Sequence, residues 1–159
     1  MPALHPNAQR VVDAAAAHGV DIQVIEYPEA TRTAEDAATA IGCAVDQIVK
    51  SMIFAAGDEI VLALTSGGQL VDPDALAEAL GVVKCGRADA DAVRKATGYP
   101  IGGVPPFGHQ TSLRSVVDPH LLDFDTVWAG GGTPRHVFGI HPDDLVRLSG
   151  AYPADFTRT

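Results

Sequence analysis

The sequence predicts an α+β fold: a single domain over residues 1–159 with a mixed, mostly antiparallel β-sheet curled into a barrel with flanking helices. Three observations predict it. Helix-like and strand-like segments mix along the chain without strict βαβ alternation, which disfavours an all-parallel sheet. The runs Ile48–Ala56 and Glu59–Thr65, separated by Gly57-Asp58, read as a hairpin. At 159 residues the chain suits one domain that buries roughly 68–70% of its unfolded surface without disulfides or structural metals.

The elements follow in order. Pro6 to Ala17 reads as a helix, rich in alanine and left at Gly19. Asp21–Tyr27 alternates as a strand and Pro28 stops it. Thr33-Ala34-Glu35-Asp36 is an N-terminal capping pattern for a helix that Gly42 closes. Val45–Gln47 is a short turn before the hairpin, and Gly67-Gly68 ends the return strand. Asp72-Pro73 places a capping carboxylate before a proline at the first helical position, and that helix runs to Leu80. Val82–Cys85 is expected as a short strand, and Asp89 caps a helix to about Thr97. Strands are expected at Leu113–Val117, Thr126–Trp128 and His136–Ile140, with a turn at Asp118–Leu122 and a tight reversal at Gly130-Gly131-Gly132. Pro142–Leu148 is the last helix, and Ala151–Thr159 is expected to be loose.

Composition bounds the function. Hydrophobic residues make up 47% and charged residues 19%, as in soluble globular proteins. The net charge of −9 argues against a protein that coats nucleic acid through many phosphate contacts, but leaves room for gripping one nucleotide or the tip of a nucleic acid. Cys43 and Cys85 form no CxxC or metal-type pair and read as two reduced thiols of a cytoplasmic protein. No signal peptide and no membrane span is expected. GxxxxGK[ST], GxGxxG and GxSxG are all absent.

One stretch stands apart. Thr97–His109 holds four glycines and three prolines, yet Tyr99, Ile101, Val104 and Phe107 are apolar. Neither a helix nor a central strand accommodates that mixture, and a solvated linker would not be so apolar. A rigid, partly buried loop is the reading, and such loops on a firm scaffold often carry function. Lys50 is the second candidate, the one charge in the strand Ile48–Ala56. It fits an edge-strand lysine that snorkels to water, or a cation held over an apolar cleft for a phosphate or a developing oxyanion. His136 follows, read as a structural or a catalytic histidine. A zinc site built from His109, His136 and His141 matches no ligand spacing, so no metal is expected. The triple glycine reads as a hairpin turn or as a cradle for an anion.

Three segments in this order carry a resemblance. They are Thr33–Ala38 followed by Gln47–Phe54, then Thr97–Gly108, then Trp128–Gly132 running into Arg135–Ile140 and Pro142–Leu145. Together they resemble the YbaK family, which includes the editing (INS) domain of bacterial prolyl-tRNA synthetase, over about Tyr27 to Leu148. The resemblance implies a free-standing aminoacyl-tRNA deacylase that needs no cofactor. Its partner would be the acceptor end of a tRNA carrying a wrong amino acid, of tRNA(Pro) or a related tRNA, with an aminoacyl-tRNA synthetase as a further partner and neither DNA nor membrane. The alternative is a module that binds tRNA or a nucleotide without chemistry. Lys50 matches the family's essential lysine, at the terminal phosphate and ribose. Gly102 and Pro106 match the ends of a GxxxP loop whose backbone engages the scissile region and helps place a water. Lys50 and Gly102 are thus the implied catalytic positions. Ser51, Gly103, Val104, Pro105, Pro106, Gly130 and His136 are the implied substrate-binding ones. An aminoacyl ester is already activated, so positioning a water and stabilising the oxyanion can suffice.

Overall fold

Helix boundaries follow local signals in the sequence. The computed structural model describes residues 4–29 and 33–158. Helix α1 spans Pro6–Ala16, α2 Ala34–Ile41, α3 Pro73–Leu80, α4 Ala90–Thr97 and α5 Pro142–Ser149. Thr33, Asp72 and Asp89 each accept N–H bonds of the first turn with their side chains, at 2.8–3.3 Å. Each such cap stabilises by about 1 kcal/mol. Gly42, Gly81, Gly98 and Gly150 close four of the helices in the left-handed conformation, where an L side chain would be strained.

The strands are β1 Val24–Glu26, β2 Ile48–Ala56, β3 Glu59–Ser66, β4 Leu70–Val71, β5 Gly86–Arg87, β6 Arg114–Val117, β7 Val127–Gly130, β8 His136–Ile140, β9 Tyr152–Pro153 and β10 Thr157–Arg158. The main sheet runs β1-β8-β7-β2-β3-β6-β9, with β5 also on β2, and β10 pairs with β4 in a separate ribbon. The β2–β3 hairpin forms as expected, Ala56 facing Glu59 across Gly57-Asp58. Gly57 has φ +65° at the first central position, the geometry of a type II′ turn. β7 pairs with β2, β6 with β3 and β9 with β6 in parallel, and the other pairs are antiparallel.

Four expectations are corrected. The sheet is open rather than closed into a barrel: its end strands, β1 and β9, do not pair with each other. Val82–Cys85 forms no strand, and the pairing falls instead on Gly86–Arg87. The triple glycine is not itself the reversal. Gly130 ends β7, and the turn closes at Thr133–His136, where His136 N–H donates to the Thr133 carbonyl at 3.2 Å. The tail is not loose up to Arg158, because β9 and β10 pair and Phe156 is fully buried; Thr159 lies outside the described residues.

Helices cover both faces of the sheet. Val49, Ile53, Leu62, Leu64 and Phe138 pack on one face with Val11 and Ala15 of α1, Val93 of α4 and Leu145 of α5. Phe54, Val61, Ala63 and Val116 pack on the other with Leu76 and Leu80 of α3, and Ile48 with Ala37 and Ala38 of α2. The alternation of β2 therefore sends Val49 and Ile53 one way, Ile48 and Phe54 the other. Among the described residues no helix is long and apolar enough to cross a membrane.

Candidate active site

The sheet contains a split, and the site lies at it. On one edge of β2, β7 covers Ile48 and Val49 while β5 covers Phe54 and Ala55. Lys50, Ser51 and Met52, between them, have no strand partner on that edge. A cleft of about 500 Å³ opens here, within the size range of small-ligand sites. Side chains from both faces of β2 reach it, Lys50 and Met52 from one, Ser51 and Ile53 from the other.

Lys50 is half-buried and donates from Nζ to the Gln69 carbonyl at 2.5 Å. Burial holds its ammonium below the usual lysine range, and the charges of Glu35 and Asp118 work against that shift. Lys50 lines the cleft and its ammonium has one carbonyl partner, an arrangement that suits a stem snorkelling to water as well as a cation held for an anion. Beside it, the Ser51 hydroxyl oxygen is buried and has no hydrogen-bond partner. An orphaned buried hydroxyl is costly, so this one calls for a partner that the protein itself does not supply.

The glycine–proline loop forms the opposite wall. Tyr99 anchors it, fully buried, its hydroxyl donating to the Gly108 carbonyl at 3.3 Å and its ring 4.4 Å beneath the Arg10 guanidinium. Gln110 N–H and Thr111 N–H donate back to the last turn of α4, pinning the loop's exit. Pro100 carbonyl accepts the Gly103 N–H at 3.0 Å, and Gly102 has φ +88°, which gives a type II turn. Pro105 carbonyl accepts a bond from His109 Nε2 at 2.7 Å, and burial holds that imidazole below its ordinary range, the bond opposing. Between Gly102 and Pro106 only three residues carry an N–H. Gly103 spends its own on Pro100, so the donors of Gly102 and Val104 are left, both at residues that line the cleft.

His136, at the start of β8, is 4% exposed and closes the far end. Its Nε2 lies 3.3 Å from Glu26 Oε2, and its Nδ1 hydrogen-bonds Thr133 Oγ1. Burial lowers its pKa, Glu26 raises it, and His5 and Arg135 lower it further.

Of the residues singled out in the sequence, Lys50, Ser51, Gly102, Val104, Gly130 and His136 meet around the cleft. Gly103, Pro105 and Pro106 do not line it. They are buried behind the loop, where an added Cβ at Gly103 would lie 2.6 Å from Thr133 Cα. Their part is to shape the wall. The histidines do not converge: His141 accepts the Asp143 N–H at the start of α5 and His109 is held by the loop. Among the described residues no three His, Cys, Asp or Glu side chains are grouped as a metal would require. Sequence reasoning missed Arg87, Glu35, Trp128 and Thr133, all in the lining. The only signal for Arg87 was a basic residue beside a glycine after an apolar helix. Thr133 gave none, being an ordinary turn residue before a proline.

The class of protein to which this open mixed sheet and its cleft belong is the aminoacyl-tRNA editing domain. The family model with that description matches residues 28–148, and the chain belongs to this family. The YbaK and prolyl-tRNA synthetase resemblance is thereby confirmed. The chain is 26% identical to the multifunctional Ser/Thr-tRNA deacylase ProXp-y of Escherichia coli K12, over 95% of this chain and 93% of that one. It is 30% identical to a proline–tRNA ligase of Desulforamulus reducens over 79% of this chain, a match spanning only 23% of the ligase. Among solved structures, a candidate trans-editing enzyme for prolyl tRNA synthetase superposes with a TM-score of 0.93 at 41% identity, over 99% of this chain and 100% of the other.

Proposed function

We propose that this protein is a trans-acting aminoacyl-tRNA deacylase, hydrolysing the ester of a mischarged tRNA, of tRNA(Pro) or a related one, in the cytoplasm. The observation that carries the reading is the cleft lined by Lys50 together with Gly102 and Val104, whose N–H groups have no partner among the described residues. In this reading Lys50 holds the terminal phosphate and ribose. The two amides receive the ester oxygen as it becomes an oxyanion, and water attacks a carbonyl already activated by its ester bond. An acidic protein can serve because only the acceptor end is gripped, and Arg87 at the cleft adds a second cation there. A synthetase partner would supply the mischarged tRNA.

A deacylation panel tests this, with alanyl, cysteinyl, seryl and threonyl esters on tRNA(Pro) and on their own tRNAs. Release of at least one amino acid above the buffer rate is the expected result. Binding of tRNA without any turnover would mean a binding module instead. The orphaned hydroxyl of Ser51 adds a second expectation. Ser51→Ala should lower kcat/KM on the best substrate about tenfold, the worth of one hydrogen bond, while leaving Tm unchanged or higher. A Tm drop with unchanged kinetics would make Ser51 structural.

A further inference from the structure

The turn from β7 to β8 sets a hydroxyl, an imidazole and a carboxylate in series: Thr133 Oγ1, His136 and Glu26. Arg135 N–H donates to Thr133 Oγ1 at 3.2 Å, which leaves the hydroxyl its own hydrogen and a second lone pair toward His136 Nδ1. Glu26 Oε2 lies 3.3 Å from Nε2, and its charge favours a proton on that side of the ring. A neutral His136 with its proton on Nε2 would accept at Nδ1 from Thr133. A threonine in a tight turn would by itself need only its bond to Arg135. It needs no buried histidine, and no carboxylate on the histidine's far side. Thr133 and His136 both line the cleft, and the Thr133 backbone packs directly on Gly103 of the loop. The loop that would hold the ester and the hydroxyl therefore move as one unit.

Resting on the deacylase reading, we propose that Thr133, His136 and Glu26 form a proton relay that acts as general base for the attacking water. The water oxygen bonds to the ester carbonyl carbon. Its proton passes to Thr133 Oγ1 while Thr133 passes its own hydrogen to His136 Nδ1. The resulting imidazolium, protonated on both nitrogens, rests against the Glu26 carboxylate. As the tetrahedral adduct collapses, the bond from carbon to the ribose oxygen breaks and its electron pair stays on that oxygen. The proton returns through Thr133 to the departing alkoxide. Ester and water become acid and alcohol with no co-reactant. Nδ1 is bonded to Thr133 and Glu26 sits 3.3 Å from Nε2, so in this relay His136 reaches the reacting water through Thr133. Thr133 is the group that touches the water, and Glu26 is a positioning residue.

Among the described residues, the charged and titratable groups acting on His136 are Glu26 of β1, His5 ahead of α1 and Arg135 of its own turn, and Lys50 of β2 lines the same cleft. Burial, helped by His5 and Arg135, disfavours the imidazolium and Glu26 favours it. At neutral pH the base is therefore unprotonated. Activity should fall only as pH drops below the ordinary histidine range.

The test uses the whole protein and the mischarged tRNA it hydrolyses best. Thr133→Val, nearly isosteric, should lower kcat about a hundredfold or more with KM little changed. Thr133→Ser should recover most of that loss. Glu26→Gln should move the acid limb of kcat/KM to lower pH, because the carboxylate that favours the imidazolium is gone. Nitrogen NMR of His136 in the free protein should report the Nε2–H tautomer, a readout independent of turnover. The relay is overturned by an Nδ1–H tautomer, by a Thr133→Val or Thr133→Ala protein within about threefold of wild-type kcat, or by an unmoved acid limb. A wild-type protein inactive on every ester fails the deacylase reading itself, whereas an active Thr133→Val fails the relay alone.

Discussion

Replacing Lys50 with methionine is expected to abolish most turnover while leaving the protein at least as stable as wild type. The ammonium is half-buried and burial depresses its pKa. A lysine with a depressed folded-state pKa contributes stability only at pH above its unfolded value, and that contribution is lost as pH falls through the folded one. Near neutrality the folded protein therefore bears a desolvation cost for keeping Lys50 charged. Methionine removes that cost and fills the same stem volume, at the expense of one bond to the Gln69 carbonyl. The kinetic effect runs the other way. Loss of a single preorganised donor to a developing charge costs roughly 10²–10³ in rate. Arginine should rescue poorly, because its planar fork does not replace a compact point charge in the split of the sheet. Steady-state deacylation and thermal melts on the same preparations check both halves. A Tm several degrees below wild type would identify Lys50 as a structural residue.

Gly103→Ala is expected to be the most damaging change in the loop, worse than Gly102→Ala. A Cβ at Gly103 would lie 2.6 Å from Thr133 Cα, 2.8 Å from its carbonyl carbon and 2.9 Å from its nitrogen. These are backbone atoms, so the loop and the β7–β8 turn must separate. Overpacking of this kind costs about 1–3 kcal/mol. A displacement of about 1 Å in a positioned site costs on the order of a hundredfold in rate. At Gly102 a Cβ would meet only Pro134 at 3.6 Å, an ordinary contact. The penalty there is the left-handed φ of +88°, about 1–2 kcal/mol for an L residue. Comparing Tm and kcat for the two variants decides the matter. If Gly102→Ala proves the more harmful, the contact between loop and turn is not what holds the wall in place.

Much of this molecule was legible before its structure. Helix starts at Thr33, Asp72 and Asp89 were readable because a capping bond is made within three residues of sequence. The hairpin was readable because Gly57-Asp58 sets its own register. The rigid loop announced itself through backbone chemistry that glycine and proline carry anywhere. Elements defined by partners were not legible. Gly86–Arg87 and Thr157–Arg158 are strands only because Phe54, Ala55, Leu70 and Val71 pair with them, and two residues show no periodicity. Phe156 looked like part of a frayed tail until the β4–β10 ribbon seated it against Phe54 and Val116.

The candidate site divides in the same way. The sequence by itself determined that a lone lysine sits in an apolar strand and that a stiff, apolar loop lies elsewhere in the chain. Both are properties of neighbours along the chain. Only the tertiary structure decided that β2 would be left unpaired at Lys50–Met52, so that residues of both its faces open into one cleft. Alternation alone would have separated Lys50 from Ser51. Only folding decided, too, that the loop would offer the donors of Gly102 and Val104, since Gly103's is taken by Pro100. Which groups end up unpaired is settled by long-range contacts, and an unpaired donor, hydroxyl or ammonium is what a ligand can use.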